Sequence, residues 1–178
     1  MTEHAPEHVE EHLSEFSTDG HVQFRENRGL WQLTPDGRIV HAEHLAADLE
    51  GLDLTSALSS TYATFIDLNT RFKELCGAWQ LRDGEPNDHS DPAYDRDVVE
   101  QLSEMHSEAK PVVGEMGEAI ERLGPYSRRL DIVLGRVQQG ETKMFTGVMC
   151  GSYHDAWMEL HEDLILTQGI DRSAEGSF

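Results

Sequence analysis

Histidines flanked by carboxylates and aromatic rings are the residues of this 178-residue chain with the most chemistry to offer. His89 lies in the run Asn87-Asp88-His89-Ser90-Asp91, followed closely by Tyr94 and Asp95. Imidazole titrates near neutral pH and a carboxylate can orient it, so such a pair serves acid–base catalysis or metal binding. His154 and His161 are seven residues apart, with Trp157 between them and Glu162 and Asp163 beside the second. On a helix they share a face about 10 Å apart along the axis. That span is too long for both rings to grip one ion, yet both could line one pocket.

Two functions are open to this set. In the first, Trp79, Gln80, Tyr94, Tyr153 and Trp157 line a pocket for a small-molecule ligand in a non-catalytic binding or sensing module. In the second, His89, His154 or His161 is the acid or base of an enzyme, with Asp91 or Glu162 as orienting carboxylate. Mixed His and carboxylate ligands would suit zinc, iron or manganese, but the residues specify no metal or other cofactor. The binding reading is preferred, because no nucleophile–base–orienter spacing is explicit. A histidine on an apolar helix face is also, quite simply, a common packing residue.

Lesser candidates follow the same logic. His4, His8 and His12 are four apart, so neighbouring pairs could hold a metal on a helix, or lie on a solvated face. His41 and His44 have i, i+3 spacing and the same two readings. Cys150 has His154 four residues on, and a helix N-terminus there would favour a thiolate. The chain contains no Gly-rich phosphate loop, no CxxC pair and no HExxH.

The elements that must position these residues are mostly helical. Val9, Leu13 and Phe16 have helical spacing in residues 5–16. Residues 21–25 and 30–33 read as strands around the turn Glu26-Asn27-Arg28-Gly29. Thr34-Pro35 is a helix start, with Thr34 as N-cap and Pro35 in the first turn. Beyond Asp53 no strand is expected. Residues 55–80 predict a long helix with a wide apolar face, 81–95 a long loop, and 95–109 and 111–123 two helices separated at Pro111. Helices over 126–139 and 153–168 follow, flanking an irregular stretch at 138–152. The expected fold is mainly α: a helical bundle (51–178) preceded by a small helix and β-hairpin (1–50).

Composition narrows the partners. The 34 acidic residues against 14 Lys and Arg give a net charge of −20. A nucleic-acid binder concentrates cations to neutralise phosphates, so direct contact with DNA or RNA is not expected, nor is an anionic membrane surface. No apolar run is long enough to span a bilayer, and the acidic N-terminal stretch does not read as a secretory signal. Two cysteines make no disulfide framework, which predicts a cytoplasmic protein.

The order helix, strand, turn, strand, then Leu-Thr-Pro-Asp-Gly-Arg (33–38) opening a helix resembles the winged-helix module of MarR- and PadR-type regulators over about residues 6–45. The segments 78–95 and 152–165 are similar to a helical domain of actinobacterial proteins usually grouped with MarR-type regulators, sometimes behind phosphoenolpyruvate-utilising modules. The resemblance implies a transcription-regulator-like protein with a ligand-sensing helical domain and the possibility of a homodimer. It implies no catalytic residue. The winged helix is expected to be incomplete, lacking two helices ahead of the recognition position. The helix in that position carries Glu7, Glu10, Glu11 and Glu15, where a groove-binding helix needs Lys and Arg.

Overall fold

A computed structural model describes residues 5–170. The chain divides into two compact units between Leu52 and Asp53.

The first unit is built by local signals. Helix α1 (Pro6–Thr18) begins with proline in its first turn. Strands β1 (Val22–Arg25) and β2 (Leu30–Leu33) pair antiparallel, Arg25 opposite Leu30, around the four-residue turn that ends on left-handed Gly29. Helix α2 (Pro35–Asp48) is capped as its sequence indicates: the Thr34 hydroxyl accepts from Gly37 N at 3.0 Å and donates to the Gly20 carbonyl at 2.7 Å. A Cβ on Gly37 would stand 1.9 Å from the His21 carbonyl oxygen, so only glycine lets α2 close onto the backbone at His21, just ahead of β1. Gly37 is the only buried residue described in this unit.

The second unit holds the core. Helix α3 (Leu54–Gln80) packs along α4 (Pro92–Ala119), α4 along α5 (Gly124–Gln138), and α5 against α7 (Tyr153–Gln168). Every buried apolar side chain described, from Leu58 to Ile165, belongs to this unit. The fold is mainly α, as the periodicity predicts. Among the described residues no helix is long and apolar enough to cross a membrane.

Several local expectations are corrected. Helix α4 does not break at Pro111. Its buried stripe of Val98, Leu102, Met105, Ala109, Val113 and Met116 runs straight through, while Pro111 itself is exposed. Each of the Val, Leu and Met side chains among them gains about 1.5–3 kcal/mol on burial, and together they outweigh the ~3 kcal/mol that a proline costs inside a helix. The loop at 81–95 is largely ordered too. Leu81–Arg82 (β3) and Glu85–Pro86 (β4) form a miniature hairpin around Asp83-Gly84, both with positive φ, as a primed turn requires. Within 138–152 a single helical turn, α6 (Lys143–Thr146), buries Met144 and Phe145. Gly124 and Pro125 open α5 rather than preceding it.

Candidate functional site

His89 is held as a catalytic or ligand-contacting imidazole would be. The two-residue hairpin reverses the chain after α3, Asn87 N bonds the Gln80 carbonyl, and His89 adopts left-handed φ of 57°. Backbone strain of this kind is retained when its surroundings over-determine it. Its backbone N–H donates to Asn87 Oδ1, and its ring lies against Trp79 at 4.6 Å between centroids. Nδ1 stands 3.0 Å from Asp95 Oδ2. A carboxylate only accepts, so Nδ1 carries the proton and the Nε2 lone pair is left for another partner. The ring is about one-third exposed.

The carboxylate expected in that role was Asp91, and the structure assigns Asp91 elsewhere. It caps α4 through Ala93 N and Tyr94 N and pairs with Arg82 at 3.1 Å. Those bonds hold its carboxyl below the ordinary range, the backbone donors most of all. Tyr94 donates to the Ala78 carbonyl at 2.9 Å, beneath the Arg82 guanidinium. Gln80 is exposed.

The proposed partners on α7 lie elsewhere along α3. Phe65, Phe72 and Trp79 recur every seven residues, so they mark α3 at intervals of about 10 Å. Phe65 contacts Trp157 (4.8 Å) and His161 (5.5 Å). Phe72 contacts Tyr153 (5.4 Å), Trp157 (5.3 Å) and His154 (6.3 Å). Trp79 contacts His89 and Phe145. His89 and His161 therefore sit at stations fourteen residues apart on one helix, about 21 Å along it, and cannot act on one atom. Tyr153, Trp157 and His161 are fully buried members of the core. Trp157 Nε1 is satisfied by Asn69 Oδ1 at 3.0 Å. Glu162 is half-buried, and His154 is half-buried with its Nδ1 making no hydrogen bond among the described residues.

A polar network in this core escaped the sequence reading. Buried His106 on α4 joins Asp131 Oδ1 through Nε2 at 2.8 Å and the Tyr153 hydroxyl through Nδ1 at 3.1 Å. Lys110 Nζ closes on Asp131 at 2.8 Å. With Asp131 ionised, Nε2 carries the proton and Nδ1 accepts from Tyr153. Burial pushes the Asp131 carboxyl up, but the bonds from Lys110 and His106 outweigh it and leave the group below its usual range. Burial, with the Asp131 charge, drives the Tyr153 phenol well above its ordinary value, so it stays neutral. The signal available was His106 itself, a polar residue on the Leu102–Met105–Ala109 stripe.

The helix N-terminus beside Cys150 is already occupied. The N–H groups of Cys150, Gly151 and Ser152 converge on Asp155 Oδ2 at 2.8–3.3 Å, and Met149 N reaches Oδ1 at 3.1 Å. The start of α7 thus already holds a carboxylate, in a capping box with Ser152. Burial raises the Asp155 carboxyl, these donors lower it further, and the balance lies below the usual range. Burial pushes the Cys76 thiol up to about 12, away from the thiolate form.

In the first unit His4 lies outside the described residues. His12 turns to Glu15 (3.4 Å) and stacks on Phe16 (6.2 Å). His41 and His44 line a cleft of about 390 Å³ together with Phe16, Asp19, His21, Val22, Leu33, Gly37 and Val40. Four apolar side chains, with a few polar groups around them, is the composition of a small-molecule site, and the volume is in the usual range. Among the described residues no three His, Cys, Asp or Glu side chains gather as a metal centre. No protein-family model matches the chain, and no curated protein or solved structure shows significant similarity to it.

Proposed function

We propose that this chain is a small-molecule-binding protein that takes its ligand in the cleft between α1, the hairpin and α2, in the manner of a sensing module. The observation that carries the reading is the cleft's lining. Phe16, Val22, Leu33 and Val40 give it an apolar floor, and three imidazoles supply polar groups. In the helical unit, by contrast, Tyr153 and Trp157 are packed against Phe65 and Phe72, so the cleft replaces them as the binding site. The helix–hairpin–helix order and the Leu-Thr-Pro-Asp-Gly-Arg segment support a regulator-like ancestry. The exposed glutamates of α1 speak against DNA contact. Titration with 1-octanol, followed by methyl NMR, tests the site. Saturable shifts confined to Val22, Leu33 and Val40 are expected, and shifts absent there or spread across the helical unit would overturn it.

The His89–Asp95 pair favours a second reading, an acid–base enzyme with Nε2 as proton acceptor. Diethyl pyrocarbonate should then modify His89 ahead of the other histidines, and Asp95→Asn should slow that reaction. Modification no faster than at His8 would remove this reading.

A further inference from the structure

We infer that the ligand of the amino-terminal cleft is a cationic amphiphile: an aliphatic or aromatic body carrying an ammonium head. The inference rests on the cleft being a binding site and adds the ligand's chemical class.

The apolar floor sets the body of the ligand, and the rim sets its head. Asp19 and the half-exposed Phe16 line the cleft and also a second hollow, formed with Glu15 and Thr18. No lysine or arginine lines either hollow. The surrounding field has the same sign, since residues 1–52 hold eleven carboxylates against three arginines, a net of −8. One of those arginines, Arg25, is turned to Gln32 at 3.0 Å on the hairpin. A carboxylate or phosphate head would be brought toward Asp19 and Glu15 with no cation to meet it. An ammonium head would be drawn to both, and the Phe16 face adds a further favourable contact.

The test uses the full chain at pH 8, above the ordinary imidazole range. Three probes share one chain length: 1-octylamine, 1-octanol and octanoate. Binding is measured by calorimetry, and the site is confirmed from the Val22, Leu33 and Val40 methyl resonances. The amine is expected to bind about threefold tighter than the alcohol and roughly tenfold tighter than octanoate, since attraction lost and repulsion gained add. Asp19→Asn should bring the amine to the alcohol's affinity, whereas Glu118→Gln, on α4 of the second unit, should leave the order unchanged. Raising the salt from 50 to 500 mM should shrink the gap. Leu33→Gln should weaken all three probes, and Val40→Gln serves the same purpose should the first variant unfold. Equal binding of amine and alcohol, or tighter binding of octanoate, overturns the cationic class while leaving the cleft intact as a site. Binding by none of the three overturns both.

Discussion

Asp131, His106 and Tyr153 show what a single residue contributes when its partner is buried. The Tyr153 hydroxyl is the hydrogen-bond donor to His106 Nδ1, and both residues are buried. Removing one side of such a pair leaves the other desolvated and unpaired, at about 1–3 kcal/mol, whereas removing both is far less costly. Tyr153→Phe is therefore expected to lower unfolding stability by about 2 kcal/mol. His106→Leu should cost at least as much, because Asp131 then loses a bond too. The double variant should fall well short of the sum, and denaturant titration of the four proteins closes the cycle. Additive losses would show that the hydroxyl and the ring are not coupled. The partners in this network were not legible in the sequence, which offered only His106 on an apolar stripe. His89 stood out because it sits among carboxylates in a polar segment, although its partner proved to be Asp95 at six residues rather than Asp91 at two. His106 gave no comparable local sign, since its partners lie 25 and 47 residues away and only the packing of α4 against α5 and α7 brings them together.

At the scale of elements, the features read correctly are those decided within a few residues. The hairpin around Gly29, the Thr34 cap, the apolar face of α3 and the span of α7 all follow from spacing and turn chemistry. Where two local signals conflict, sequence alone does not rank them. Pro111 says stop and the stripe around it says continue, and the outcome depends on how much area α3 and α5 bury against that stripe. The Asp83-Gly84 turn was missed for a related reason: strands of two residues leave no alternation to detect. The competition at Pro111 can be measured. Pro111→Ala restores an N–H facing the Ser107 carbonyl and removes the ring clash, worth ~3 kcal/mol in a helix interior. The loss of proline's stiffening of the unfolded chain offsets about 1 kcal/mol. The variant is expected to gain about 2 kcal/mol in urea unfolding with an unchanged m-value. A loss of stability would mean that proline's stiffening of the chain outweighs the bond and clash it costs α4.

For the whole molecule, the division at Leu52 separates two different kinds of stability. The second unit buries Phe65, Phe72, Trp79, Phe145, Tyr153 and Trp157 together, and their rings contact one another along α3 and α7. The first leaves Phe16, Phe24, Trp31, Leu33 and Ile39 more than a third exposed and, among its described residues, buries only Gly37. A segment of that size without a core is marginal by itself, because too little of its surface is removed from water to offset chain entropy. Expressed separately, residues 53–178 should unfold in one cooperative transition at a midpoint within a few degrees of the full chain's main transition. Residues 1–52 should show helical circular dichroism that fades gradually on heating. An amphiphile held in the cleft should change the second result. A ligand that binds only the folded unit stabilises it by RT ln(1 + [L]/Kd), about 2.7 kcal/mol at a hundredfold excess over Kd. A sigmoidal melt of the isolated unit, emerging as 1-octylamine is added, is the expected outcome. A sharp melt without ligand would mean that the hairpin and its two helices need no occupant to hold them.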